Sequence, residues 1–164
     1  MGGRPGSQAD LERLMEHYGT DILRLCALHL GDPALAEDAA QETMLRAWRN
    51  YGSYRGEASE RTWLIAIALN VCRDLLRSPW RTRRAGPEAL LKLASAGPEY
   101  DDTPLRAVYA LPRKYREVIL LRYYEELSLE EMARILRAPP GTVSARLTRA
   151  KQKLRPMLEE WYYD

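Results

Sequence analysis

The chain has 164 residues, 46% of them hydrophobic and 29% charged, which excludes a disordered polymer and leaves room for one domain or two small ones. A net charge of +2 by itself says nothing about nucleic acid; the acids and bases are segregated along the chain, and that arrangement carries the information. The most apolar run, Trp63 to Val71, is far too short to span a bilayer. MGGRPGS lacks the apolar core of a signal peptide and puts Gly6 where a myristoylation motif needs Ser or Thr, so a cytoplasmic protein with no direct membrane insertion is expected.

Strand-like alternation and internal repeats are absent. The predicted fold class is all-α, with two small helical domains, residues 9–77 and 104–161, joined by a linker, residues 78–103. Within the first block, Cys26 and Cys72 are lone cysteines in helical apolar patterns, which reads as buried thiols over a redox pair. His17 and His29 have no Cys or carboxylate cluster at ligand spacing, so no metal and no cofactor is expected.

GDPALAEDAAQETMLRAWRNY opens a helix with Asp32 as N-cap and Pro33 in the first helical position. Ala36, Ala40, Thr43, Met44, Ala47 and Tyr51 share one face. The other carries Asp38, Gln41, Glu42, Leu45 and Arg49, with Trp48 at its margin. An apolar Leu45 ringed by charge suits a protein partner, although a single exposed Leu is ordinary. Tyr51 to Glu60 reads as a loop with Gly52, Gly56, Tyr51, Tyr54 and Arg55. Thr62 is the expected cap of a helix running to Arg77, on which Trp63, Ile67, Asn70, Asp74 and Arg77 lie close to one line. Aromatics, Arg and Asn around a loop suit unstacked bases of a single strand. A core role for Trp63 and Tyr54 stays equally open.

Residues 78–104 carry four breakers, Ser78-Pro79, Gly86-Pro87, Gly97-Pro98 and Thr103-Pro104. They read as a flexible linker with one short helix around Glu88 to Ala94, and could reach roughly 90 Å if fully extended. Its charge runs from basic (Arg81, Arg83, Arg84) to acidic (Glu99, Asp101, Asp102).

Further on, Ser128-Leu129-Glu130-Glu131 is a capping box that starts a helix reaching about Arg137. Ala138-Pro139-Pro140-Gly141 then breaks the chain before GTVSARLTRAKQKLR. In that stretch Val143, Leu147, Ala150 and Leu154 form one apolar stripe. Gly141, Ala145, Thr148, Arg149 and Gln152 oppose it, between Arg146 and Lys153 on one flank and Lys151 and Arg155 on the other. Small and polar side chains facing bases, with cations toward the phosphates, are what a helix in a major groove needs. Helix, tight turn and basic helix make a helix-turn-helix; a solvated basic helix is the bland alternative. The acidic, aromatic tail from Glu159 to Asp164 is expected to cap this second core, or else to contact a regulator.

AEDAAQETMLRAWRNY, YRGEASERTWLIAIALN and LPRKYREVILLRYYEELSLEEMARILRAPPGTVSARLTRAKQKL, in this order, resemble bacterial sigma factors of the extracytoplasmic-function (ECF) group of the sigma-70 family. The resemblance implies a region-two helical bundle at 9–77, which binds core RNA polymerase and recognises and melts the minus-ten element. It implies a region-four helix-turn-helix domain at 104–161, which recognises the minus-thirty-five element. Carried onto this chain, the surface for the clamp helices of the largest polymerase subunit comprises Asp38, Gln41, Glu42, Leu45 and Arg46. The minus-ten contacts comprise Tyr54, Arg55, Trp63, Asn70, Arg73 and Arg77, with a flipped non-template base held near the loop. Thr142, Ser144, Ala145, Arg146, Thr148, Arg149 and Lys151 comprise the minus-thirty-five contacts. Further partners so implied are the flap of the second-largest subunit, duplex and single-stranded promoter DNA, and an anti-sigma factor.

The chain departs from the family pattern in two places. Ile65, Ala66 and Leu69 stand where the family usually has an aromatic and basic residues. Either they weaken duplex contacts near the minus-ten element or they extend a packed face. Glu60 stands where an aromatic is common. A free-standing helix-turn-helix regulator remains the alternative function, but leaves the loop aromatics and the Leu45 face unexplained. A nucleic-acid enzyme is disfavoured, because no catalytic constellation occurs at useful spacing.

Overall fold

In the computed structural model, residues 4–77 and 103–163 are described. They form helices separated by short turns, with no strand among them. The chain divides into two compact units, each treated separately below. The linker helix expected around Glu88 to Ala94 lies outside the described residues, as do the side chains of the tail from Glu159 onward.

The first unit packs α1 (Gln8–Leu30), α2 (Pro33–Arg49) and α3 (Glu60–Arg77) against one another. Helix α1 starts at a reciprocal capping box. The Ser7 hydroxyl accepts from the Asp10 N–H at 3.1 Å, and the Ser7 N–H donates to Asp10 Oδ2 at 2.8 Å. It stops at Gly31, whose φ of 70° is the left-handed turn that glycine tolerates best. Asp32 then caps α2, accepting from the Ala34 and Leu35 N–H groups at 2.9 and 3.3 Å, with Pro33 as the first helical residue. Such a cap contributes about 1 kcal/mol.

Between the helices lie Leu14, Ile22, Leu25, Met44, Leu64, Ile65, Leu69 and Val71, all buried. Burial of each large side chain stabilises by about 1.5–3 kcal/mol. Ala36, Ala39, Ala47 and Ala68 are fully buried, and their small size lets the helices approach closely. Cys26 and Cys72 are free thiols inside this core. The buried Thr43 hydroxyl donates to the Ala39 carbonyl at 2.7 Å, so it enters the core satisfied. Ile65 and Leu69, each 1% exposed, extend the packed face.

Helix α3 begins earlier than its expected cap. Ser59, not Thr62, supplies the capping oxygen: its Oγ accepts from the Thr62 N–H at 3.0 Å and donates to Thr62 Oγ1 at 2.9 Å. Thr62 is buried in the first turn, and Glu60 is the first helical residue. The cap thus lies three positions before the one expected, and Thr62 is buried.

In the second unit, α4 (Thr103–Tyr109), α5 (Arg113–Ile119), α6 (Leu129–Leu136) and α7 (Pro140–Tyr163) follow in order. Helix α5 runs on into a π-helical turn, Leu120–Tyr124, where the Glu125 N–H reaches back five residues to the Leu120 carbonyl at 3.0 Å. The turn into α6 is pinned by Arg122, whose Nη1 donates to the Leu127 carbonyl at 2.7 Å. Ser128 and Glu131 form the capping box read from the sequence, with bonds of 3.1 and 3.0 Å. Helix α6 ends at Leu136, and Arg137 turns left-handed with φ 53°, a conformation that costs a non-glycine residue energy. Pro140 then opens α7, one residue before the Gly141 start expected, in the position where its missing N–H costs nothing. Met132, Ile135, Val143, Leu147, Ala150 and Leu154 are buried, closing the core with Leu105, Leu111, Val118 and Leu121.

Candidate nucleic-acid and partner interfaces

The buried stripe of α7 determines which of its side chains reach solvent. Thr142, Ala145, Thr148, Arg149 and Lys151 are exposed, and Ser144 and Arg146 are half-buried. The structure thus brings all seven expected duplex contacts onto the outer part of one helix. Thr148 Oγ1 donates to the Ser144 carbonyl at 3.0 Å, which leaves its lone pairs outward as acceptors. Lys151 lies over the Tyr123 ring, 5.6 Å from its centroid.

Tyr115 was not anticipated. It is buried in α5, with Lys114 and Lys153 at 5.0 and 5.4 Å from its ring centroid. Arg149 acts on its hydroxyl as a nearby cation. Desolvation opposes ionisation of this phenol, but Lys114 and Arg149 outweigh it and hold the group below its ordinary value. Arg149 thus has a phenol beside it. The partner lies far from it in sequence and no helical-wheel argument reveals it.

In the first unit, α2 and α3 leave a recess lined by Arg46, Asn50, Ser53, Trp63, Ile67 and Asn70. At its edge Trp63 pairs with Tyr54, ring centroids 5.2 Å apart and planes tilted by 34°. The Tyr54 hydroxyl donates to the Ala58 carbonyl at 2.8 Å, folding the loop onto this pair. Trp63 and Tyr54 are half-buried, so each packs on the bundle while keeping an open surface. Asn70, Arg55 and Arg77 are exposed and Arg73 is half-buried; Arg77 also pairs with Asp74 at 3.7 Å.

On the outer side of α2, Asp38, Gln41 and Leu45 are exposed, Leu45 to 37%. Asp38, Glu42 and Arg46 line a second recess with Val71, Asp74 and Leu75. Arg46 spans it, donating to Glu42 at 2.9 Å and approaching Asp74 at 3.7 Å. The result is an apolar floor under a rim of mixed charge.

Two further features escaped the sequence. Residues 4–7 strap across the end of α2: the Gly6 N–H donates to the Trp48 carbonyl at 2.8 Å, the Trp48 indole N–H to the Ser7 carbonyl at 3.0 Å, and the Gly52 N–H to the Arg4 carbonyl at 2.9 Å. A Cβ on Gly52 would stand 2.6 Å from the Arg4 nitrogen, so only glycine fits there. Glu60, noted only as a departure from pattern, accepts from Arg13 at 2.7 Å on each oxygen and from the Tyr51 hydroxyl at 3.0 Å. Arg13, opposed by burial and helped by Tyr51 and Tyr18, lowers this carboxyl from 4.5 to about 2. A depressed acid stabilises fully above its unfolded value of 4.5, and that contribution is lost progressively as pH falls from there through about 2. The Ser7–Asp10 capping box has the same spacing as Ser128–Glu131 but was not read from the sequence; the Arg13–Glu60 pair, 47 residues apart, has no local signal at all.

Among the described residues, no group of His, Cys, Asp or Glu is placed to hold a metal ion, and no helix is long and apolar enough to cross a membrane.

Residues 14–82 match the family model for Sigma-70 region 2, and residues 105–154 match that for Sigma-70, region 4. The ECF RNA polymerase sigma factor SigW of Bacillus subtilis is 33% identical over 174 residues, covering 96% of this chain and 93% of that protein. The RNA polymerase sigma-H factor of Pseudomonas aeruginosa is 30% identical, covering 94% and 91%. Among solved structures, CnrH in complex with the cytosolic domain of CnrY superposes with a TM-score of 0.70 at 29% identity, over 94% of this chain and 91% of that one. The sigma factor RpoE of Bartonella quintana, solved with the anti-sigma factor NepR, shares the fold at a TM-score of 0.68, with 24% identity over 93% and 98%. Two family models in the order of the two units, with relatives matched over nearly their whole length, place the chain in the sigma-70 family: it is an RNA polymerase sigma factor of the extracytoplasmic-function group.

Proposed function

We propose that this sigma factor docks on the clamp helices of the largest polymerase subunit through Asp38, Gln41, Glu42, Leu45 and Arg46. In this reading, residues 9–77 capture the minus-ten element as a single strand, using Tyr54, Arg55, Trp63, Asn70, Arg73 and Arg77. Residues 104–161 bind the flap of the second-largest subunit and read duplex at the minus-thirty-five element through Thr142, Ser144, Ala145, Arg146, Thr148, Arg149 and Lys151. Residues 78–103 join the two activities. Polymerase performs the chemistry, and this chain contributes binding energy to a melting step, in the cytoplasm where core polymerase and promoter meet.

The observation that carries the reading is the half-open Tyr54–Trp63 pair beside a recess containing Asn50, Ser53 and Asn70. A base stacked on such a platform is worth about 1–3 kcal/mol, and its edge finds amide and hydroxyl partners at once. A free-standing duplex-binding regulator has no use for this arrangement. An anti-sigma factor is the further partner proposed: RpoE of Bartonella quintana was solved with the anti-sigma factor NepR, and CnrH was solved with the cytosolic domain of another protein, CnrY.

Trp63→Ala tests the reading. Permanganate reactivity of unpaired thymines around the minus-ten element is expected to fall about 5- to 100-fold in holoenzyme complexes, with polymerase binding retained. Unchanged reactivity would remove Trp63 from the melting step.

A further inference from the structure

The loop between α2 and α3 is anchored at both ends, and the anchors lie outside the groups assigned above to DNA. Glu60 closes the loop by opening α3. Arg13 of α1 holds it with two bonds of 2.7 Å, one to each oxygen. Tyr51 opens the loop. Its hydroxyl accepts from Arg13 Nη2 at 2.7 Å and donates to Glu60 Oε2 at 3.0 Å. The first loop residue and the residue that ends it are thus joined to each other and to a third helix.

The aromatic platform rests on this closure. The Tyr51 ring meets Trp63 edge-on, centroids 6.2 Å apart, while Tyr54 packs on Trp63 at 5.2 Å. The Arg13 guanidinium lies 6.0 Å from the Tyr51 ring centroid. Moving Arg13 or Glu60 frees Tyr51, and freeing Tyr51 removes an edge that holds the indole. An exposed ion pair would add little order. This one is bidentate, charge-assisted and bridged by a hydroxyl, with the Glu60 side chain only 15% exposed.

We infer that Arg13 and Glu60 are positioning residues which, through Tyr51, hold the Tyr54–Trp63 platform in the geometry that accepts a base of single-stranded DNA. The inference rests on the proposed reading of this loop as a single-strand capture site. Order established before binding reduces the entropy lost on binding, so its benefit falls on single-strand affinity, not on polymerase or duplex affinity.

The test uses holoenzyme assembled from the full chain and core polymerase. The probe is a fluorescent single-stranded oligonucleotide carrying the non-template minus-ten sequence selected from a random promoter library. Glu60→Gln is expected to weaken oligonucleotide binding about tenfold while affinity for core polymerase stays within about twofold. Arg13→Glu and Glu60→Arg are each expected to weaken it further, and their combination to recover most of the loss by re-forming the pair in reverse. Unaltered oligonucleotide affinity in Glu60→Gln, alongside a loss in Trp63→Ala, overturns the inference and leaves the capture site standing. Parallel loss of polymerase affinity, or no recovery in the double variant, also overturns it, because a general structural support behaves that way. If unmodified holoenzyme ignores the oligonucleotide, or Trp63→Ala binds it normally, the capture-site reading itself fails and the inference falls with it.

Discussion

Replacing Asp38 and Leu45 together with Ala is expected to lower affinity for core polymerase about 100-fold or more, while binding of the isolated minus-thirty-five duplex stays unchanged. Leu45 is 37% exposed on an otherwise polar face, with Asp38 two turns before it and Gln41 and Glu42 between them. An apolar centre desolvated inside a charged rim is where interfaces concentrate their energy, and removing an anchor plus a charge there costs on the order of 3 kcal/mol. Both side chains lie exposed on the outer side of α2, so the thermal midpoint should move little. A fluorescence titration with core polymerase, run beside a thermal melt, separates the effects. Retained polymerase affinity would assign docking to another face.

Arg149→Ala is expected to do the reverse. Affinity for the selected minus-thirty-five duplex should fall about 5- to 150-fold, the range for a bidentate contact to a base, with polymerase binding intact. Arg149 reaches solvent from the outer face of α7, beside the Tyr115 phenol. Anisotropy on wild-type and base-substituted duplexes checks this: loss of discrimination at one base pair marks base reading. A uniform loss across all sequences would instead make Arg149 a phosphate contact.

Where local rules apply, the sequence was a good guide. Val143, Leu147, Ala150 and Leu154 were spaced as one helical stripe, and all four are buried. Asp32 with Pro33, and Ser128 with Glu131, formed the caps their spacing required. Each of these depends on residues within one or two turns, where helix geometry fixes who meets whom. The misses have the opposite character. Thr62 lost the capping role to Ser59 because the packing of α3 buries it, and packing is a tertiary fact. Arg13 and Glu60 meet only after α1 and α3 have docked. Gly52 matters because the Arg4 backbone lies against it, and nothing in YGSY announces that. For the same reason the apolar residues of α3 carried two readings until Ile65 and Leu69 were seen inside the core.

The central claim is that promoter choice belongs to this chain and is expressed only on polymerase. The most direct measurement combines purified protein with core RNA polymerase on a library of random upstream sequences. The transcripts are sequenced, and protein alone on the same library serves as the binding control. Start sites preceded by two spaced motifs are expected only when protein and core are combined. A protein that forms no complex with core yet selects a single duplex motif by itself would contradict it.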